Sequence, residues 1–201
     1  VSKIKAMDPA IEGAAAQVDT SRSYTRSGIV QYEWETNAAG YTYHNWYGFG
    51  VMDVAAATSM AKSYSADTLG EFKISDWIYD NDSDSITIAS NASTSIVITI
   101  DESEITASSN FLEFIRLAMN FDHAIPRDIG IELTSPQGTT MNIIQPFTNI
   151  EGSPNFNWTS KGISGFYGEQ IIGDWTLTVT DYTNDGVGGT FANTAIMIFG
   201  H

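Results

Sequence analysis

A chain of 201 residues is long enough to bury one substantial core. Its 24 acidic residues against nine basic ones leave a net charge of −15, which repels phosphate backbones and excludes nucleic acid as an expected partner. There is no cysteine for a disulfide, and no apolar run of the ~18 residues that a membrane-spanning helix needs.

Residues 6–57 are Ala- and Gly-rich and should expose apolar surface on their own. Gly40-Tyr-Thr-Tyr-His-Asn-Trp-Tyr-Gly-Phe-Gly-Val-Met-Asp-Val-Ala-Ala-Ala57 reads as a Gly-punctuated turn running into a helix. Asp53 is the expected N-cap, and good helix formers dominate Val54 to Tyr64. From residue 67 onward the pattern changes to short strands. Phe72–Tyr79 is the first, with Trp77 in it, and Ile86–Ala89 the second. Between them, Asp80-Asn-Asp-Ser-Asp-Ser85 has the residues of a turn, although its alternating oxygens could also ring a cation. Ser95-Ile-Val-Ile-Thr-Ile100 is rich in β-branched residues and runs into the acidic patch Asp101–Glu104. Phe111–Phe121 could be a helix by its Phe, Leu and Ile spacing. Alternation of Ile115, Leu117, Met119 and Phe121 against Phe114, Arg116 and Ala118 favours a strand.

The last third is the most strongly patterned. Ile129, Ile131 and Leu133 share one face, with Glu132 and Thr134 on the other. Ser135-Pro-Gln-Gly138 supplies a turn, Pro presetting φ and Gly tolerating positive φ, and Thr139–Ile144 resumes the strand as a hairpin. Thr148–Phe166 is a long irregular stretch by this reading. Trp175, Leu177 and Val179 then point one way along Gly173–Asp181, and Ile196–Gly200 is a final strand. About eight strands at this spacing predict a mainly β protein of the sandwich class.

Several acids and amides sit where a hard cation could be held. Asp181-Tyr-Thr-Asn184-Asp185-Gly186 offers two carboxylates and an amide on backbone flexible enough to turn its carbonyls inward. It is not the EF-hand pattern, because no glutamate closes it. Asp128, Glu169 and Asp174 flank neighbouring strands and are expected to converge on one end of the sheet pair. The metal-ligand set is therefore Asp181, Asp185, Asn184, Asp128 and Glu169, with calcium the expected ion; the competing reading of Glu169 and Asp174 is turn and strand-end hydrogen bonding.

An Asp-led strand into Leu133-Thr-Ser-Pro-Gln-Gly-Thr139, then Gly168-Glu169, then Gly173-Asp-Trp-Thr-Leu-Thr-Val-Thr-Asp181 and a terminal Phe199-Gly200, resembles the P domain that follows the catalytic domain in kexin- and furin-like members of the subtilisin superfamily. Tyr47-Gly-Phe-Gly50 with Asp53-Val-Ala is similar to the end of the kexin-type catalytic domain, and Ser2-Lys-Ile-Lys-Ala-Met-Asp-Pro9 looks like a loop from the same region. The resemblance implies a jelly-roll β-sandwich at 67–201, preceded at 1–66 by the tail of an α/β catalytic domain. It also implies a secreted, calcium-dependent serine endoprotease acting on protein substrates, of which this chain is the non-catalytic C-terminal part. The partner is then the rest of that protease, and residues 1–66 are expected to be paired with it or disordered without it.

No catalytic triad is expected here. Thr58-Ser59-Met-Ala61 copies the centre of the family's nucleophile signature, but Ala57 stands where Gly is required and Tyr64 where Pro is. His44, His123 and His201 lack the setting of a triad base. His123 reads as a surface loop residue or a weak metal ligand. The second reading of the chain is an autonomous sandwich module that binds protein or polysaccharide surfaces.

Overall fold

A computed structural model describes residues 24–26, 29–65, 70–80, 85–105, 111–147, 155–159 and 162–201. The stretch Ser2–Pro9 and most of the Asp80–Ser85 loop lie outside them.

Ten strands among the described residues build an antiparallel sandwich. They are β5 (Lys73–Ile74), β6 (Ile78–Tyr79), β7 (Ile86–Ile88), β8 (Ser93–Ile100), β9 (Leu112–His123), β10 (Ile129–Thr134), β11 (Thr140–Ile144), β12 (Asn155–Thr159), β13 (Gly173–Asp181) and β14 (Gly189–Gly200). One sheet has the order β11-β10-β13-β8. The other runs β12-β9-β14, and the far edge of β14 is completed in turn by β7, β6 and β5. Period-two alternation decides what lies between the sheets. Trp175, Leu177 and Val179 of β13 and Ile129, Ile131 and Leu133 of β10 pack with Ile96, Ile98 and Ile100 of β8 on one side. Ile115, Leu117, Met119 and Phe121 of β9 and Phe191, Ile196 and Ile198 of β14 come from the other. Trp175 is fully buried, with the edge of Phe166 against its ring and its Nε1–H donated to the Ile171 carbonyl at 2.8 Å.

The hairpin forms as its turn residues dictate. The Gly138 amide donates to the Ser135 carbonyl at 2.9 Å, and Gly138 takes a φ of +89°. Three elements differ from the sequence reading. The expected strand Phe72–Tyr79 is two short pieces, because the Ser75 hydroxyl and not its carbonyl takes the Ile198 amide, while the Ser75 amide still donates to the Ile198 carbonyl. Within the stretch expected to be irregular, β12 pairs with β9. The last strand begins at Gly189 and not near Ile196, carried across a bulge where Asn193 adopts a φ of +50° and Asp80 accepts the Thr194 amide. A second bulge leaves Glu113 unmatched between the Leu112–Gly200 and Phe114–Phe199 pairs. It shifts the alternation, so Leu112 and not Phe111 or Glu113 faces the core.

Among the described residues ahead of the sandwich are two small hairpins, β1 (Tyr24–Arg26) with β2 (Ile29–Tyr32) and β3 (Glu35–Thr36) with β4 (Thr42–Tyr43), and one helix, α1 (Val54–Ser63). Asp53 caps α1 as expected, its Oδ1 accepting the Ala56 amide at 2.9 Å. No residue of α1 is buried.

Candidate functional site

Two clusters carry the polar chemistry of the sandwich, and strand direction puts them at opposite ends. β13 leads from Gly173 to Asp181 while its antiparallel neighbour β10 runs from Ile129 to Thr134, so Ile129 pairs with Asp181 and Thr134 with Thr176. Asp128 and Asp181 therefore share one end. Glu169 and Asp174, ahead of and at the start of β13, belong to the other. From Asp174 to Asp181, at about 3.4 Å a residue, the span is on the order of 24 Å. The expected convergence of Asp128, Glu169 and Asp174 on one end is thus corrected by the register.

At the first end, β9 delivers His123 and β13 delivers Asp181, both with side chains 0% exposed and with His123 Nε2 lying 3.2 Å from Asp181 Oδ2. The Ile125 amide donates to His123 Nδ1 at 3.1 Å, which leaves the ring proton on Nε2 to be donated to Asp181. His123 is thus a buried strand residue, which corrects the first of its two sequence readings, that of a surface loop residue. Asp181 Oδ1 accepts from the Thr183 amide at 2.8 Å and lies 3.0 Å from the Thr183 hydroxyl. The same hydroxyl is 3.1 Å from Oδ2 of Asp128, the buried last residue of a single turn of 3-10 helix, Pro126–Asp128. One hydroxyl proton serves one carboxylate at a time. Arg127 Nε stands 3.7 Å from the other oxygen of Asp128, on a side chain that is mostly exposed. Asn184 and Asp185 lie on the exposed rim of this end, where Asp185 Oδ1 accepts the Val187 amide at 2.9 Å. Among the described residues, no three or more His, Asp or Glu side chains are grouped to hold a metal ion.

At the opposite end Glu169 is fully buried. Its Oε1 accepts the Ala38 amide at 3.0 Å and the Thr139 hydroxyl, while Oε2 has no hydrogen-bond partner among the described residues. Thr139 Oγ1 also takes the Ala38 amide, at 2.9 Å. Asn37, 3% exposed, completes the seam: its Nδ2 donates to the carbonyls of Gly165 and Tyr167 at 2.9 and 2.8 Å, and its Oδ1 accepts the Tyr41 amide. Tyr41 and Phe49 lay ring edges on Tyr167, and Gly168 keeps φ at +84° where a Cβ would sit 2.7 Å from the Tyr41 ring. Burial raises the Tyr43 hydroxyl above its ordinary range at this contact. Residues 37–49 are therefore seated on their own sandwich, where pairing with an absent part or disorder was expected of residues 1–66. Asn37 and Thr139 were not singled out from the sequence. The signal was present in one respect, since an Asn followed two residues later by small Ala39-Gly40 is turn chemistry.

Beyond the seam the surface turns apolar. Val51, Met52 and Val54 are 52%, 54% and 65% exposed, and Trp46 is 46% exposed. Ser59 lies exposed on α1. The imidazoles of His123 and His201 each have both nitrogens engaged by other groups, with none left to activate a serine.

Comparison with known proteins agrees with this architecture. Residues 112–198 match the family model of the proprotein convertase P-domain. The chain is 32% identical over 167 residues to an extracellular serine protease of Aeromonas sobria, covering 75% of this chain and 25% of that protein. To furin-1 of Xenopus laevis it is 24% identical over 177 residues, covering 87% of this chain and 22% of furin-1. The chain thus spans about a quarter of the length of these relatives. The crystal structure of the serine protease of Aeromonas sobria superposes with a TM-score of 0.78 at 24% identity over 98% of this chain and 40% of that one, so the shared fold covers the hairpin and helix region as well as the sandwich.

Proposed function

With residues 112–198 belonging to the proprotein convertase P-domain family, we propose that this chain is the non-catalytic C-terminal portion of a secreted subtilisin-like serine endoprotease, and that its sandwich seats and stabilises the catalytic portion. The observation that carries this reading is the seam at Asn37, Thr139 and Glu169. It binds the segment leading into α1 to the sandwich through side-chain-to-backbone bonds, those of Asn37 buried and those to the Ala38 amide part-buried. A buried donor or acceptor without its partner costs about 1–3 kcal/mol, so several such bonds fix the segment's position firmly. The seam leads into a patch of exposed Val and Met and a helix with no buried face. Such a patch marks a surface that a partner covers, and here that partner is the catalytic portion. Residues 1–66 are then the tail of that portion and 67–201 the P domain. Protein substrates belong to the whole enzyme.

Calcium is part of the proposal. The donors that suit it are Asp128 and Asp181, buried together around a single hydroxyl, with Asn184 and Asp185 on the rim; Glu169, at the far end, belongs to the seam. Bound there, the ion would supply charge compensation for two buried carboxylates. Against tight binding stand the bonds that Asp181 already makes to His123 and Thr183.

Native mass spectrometry of the protein purified from its source tests the main reading. A complex heavier than this chain by the mass of a protease core, dissociating under denaturing conditions, is the expected result. The chain flying alone, with no longer precursor detected, would overturn it and favour a free-standing binding module.

A further inference from the structure

Sheet edges that water can reach are open to pairing with another chain, and most edges of this sandwich are guarded. β5, β6 and β7 are only two or three residues long. β11 is met from outside by Asn45, whose Nδ2 donates to the Asn142 carbonyl at 3.2 Å. β8 is different. It ends the sheet order β11-β10-β13-β8, so among the described residues only β13 forms a ladder with it. Its sequence, Ser93-Thr-Ser-Ile-Val-Ile-Thr-Ile100, holds no charge, proline or glycine, and all but its two serines are β-branched. Its register with β13 runs from Ser93–Thr180 to Ile100–Gly173 without a bulge. We infer that β8 is a self-association edge. Two copies of this chain pair their β8 strands antiparallel about a two-fold axis at Val97, joining their four-stranded sheets into one.

The pattern of β8 selects a second copy as the occupant. Ser95, Val97 and Thr99 are exposed on the outer face, while Ile96, Ile98 and Ile100 are buried on the inner one. A two-fold at Val97 sets Val97 opposite Val97, Ser95 opposite Thr99 and Ile96 opposite Ile98, so each face continues with its own kind. Val97 is 48% exposed, and its partner across the ladder on β13 is Thr176. Self-pairing would cover this apolar side chain with its like, the cross-strand match that favours β-branched residues. The axis also falls where the edge is open. At the start of β8 the Thr94 hydroxyl donates to the Thr87 carbonyl of β7 at 3.1 Å, and past its end the chain enters a 3-10 turn at Glu102–Glu104. Val97 stands at the middle of Ser95–Thr99, the stretch between.

Charge fixes the direction. A net charge of −15 makes two copies repel wherever their acids meet, and β8 brings none to the ladder. The acidic residues Asp101–Glu104 follow directly on β8. Parallel pairing would set the two patches side by side. Antiparallel pairing about Val97 sends them to opposite ends, about 27 Å apart at ~3.4 Å a residue, well beyond the ~10 Å screening distance in 0.1 M salt. A two-fold contact closes on itself, so assembly stops at two copies. A single strand pair is smaller than the roughly 1,200 Å² of a standard interface, which makes the dimer a weak one. The inference stands apart from the functional reading above.

The lack of cysteine permits a direct test. Residues opposite each other in an antiparallel pair have Cα atoms about 4.5–5.5 Å apart, within the reach of a disulfide. Val97→Cys, oxidised with glutathione disulfide, should form a covalent dimer about tenfold faster than Tyr79→Cys, an exposed position on the other sheet that meets its copy only by collision. In sedimentation equilibrium the unmodified chain should rise from one chain's mass towards two as concentration approaches about 1 mM, and more so in about 0.5 M than 0.05 M salt, where repulsion is screened. Val97→Lys should weaken association about tenfold or more, while Tyr79→Lys, with the same change of charge, should not weaken it. Equal cross-linking at both positions overturns the inference, as does growth beyond two copies. A mass that stays at one chain overturns it too, and would leave the edge to an extended segment of another protein. Should Val97→Lys fail to fold, cross-linking and the mass of the unmodified chain decide.

Discussion

The side-chain amide of Asn37 reaches the carbonyl oxygen of Tyr167 at 2.8 Å, joining residues 130 positions apart in a site sealed from solvent. That amide also holds Gly165, and its carbonyl takes Tyr41, so every hydrogen-bonding capacity that matters at Asn37 is used. Asn37→Ala should strand two buried carbonyls and cost about 2–4 kcal/mol. Chemical denaturation read by tryptophan fluorescence measures it. Loss of the seam alone predicts faster proteolysis within residues 37–49 while the sandwich keeps its circular dichroism.

Glu169 makes a sharper test, because two substitutions separate its contacts. Glu169→Gln keeps one oxygen for Ala38 and Thr139 but brings an NH2 to a buried position without an acceptor, and should cost about 1–3 kcal/mol. Glu169→Ala removes the acceptor for both donors and leaves a cavity, and should cost more, about 3–5 kcal/mol. Equal losses would mean that a neutral acceptor in the same place contributes nothing and that the seam depends on the carboxylate itself.

Calcium at a hundredfold excess over its dissociation constant stabilises a protein by about 2.7 kcal/mol, or roughly 5 °C or more in melting temperature for a domain of this size. That rise should appear between chelator and millimolar calcium, and should vanish in Asp128→Asn. No rise in the unmodified chain would show that Asp128 and Asp181 serve the strand ends alone.

Glu35 supplies a pH dependence with a definite sign. Burial, and then the charge of Glu33, raise its carboxyl above the ordinary range. A raised carboxyl pKa means that the folded chain binds the proton more tightly than the unfolded one, so this group adds stability at low pH and loses it as pH rises through the folded value. The group is substantially exposed, so the effect is well under ~1 kcal/mol. Glu35→Gln should be slightly more stable than the parent at pH about 7 and equal to it at pH about 4, by paired thermal melts.

Much of the sandwich was legible because period two survives wherever one face is buried. Trp175-x-Leu177-x-Val179 and Ile129-x-Ile131-x-Leu133 announced both the strands and the core they build. The early part of β14 was not legible, since Thr190-Phe-Ala-Asn-Thr194 breaks alternation at the bulge, and Asn193 has the chemistry of a turn while serving inside a strand. β5 and β6 were read as one strand because the detour at Ser75 is dictated by the Ile198 amide, a partner 123 residues away. The placing of the acids could have been better. Asp181 ends one strand and Asp128 begins its antiparallel neighbour, so the two must meet; Glu169 stands before the first of these strands begins, and the same reasoning sends it to the far end. What no local pattern could reveal is the seam, where Ala38, Thr139 and Glu169 carry no shared periodicity and are brought together by tertiary contact alone.

β14 has one more consequence, in the order of synthesis. It lies between β9 and the three short strands β5, β6 and β7, all of which precede it in the chain. A ribosome releasing this polypeptide therefore hands over the separate borders of a sheet long before the strand that unites them. Until β14 emerges, one ladder edge of the twelve-residue β9 stays open, a standing invitation to pair with a neighbouring nascent chain. Closure waits on contacts of large sequence separation, which are slow to form.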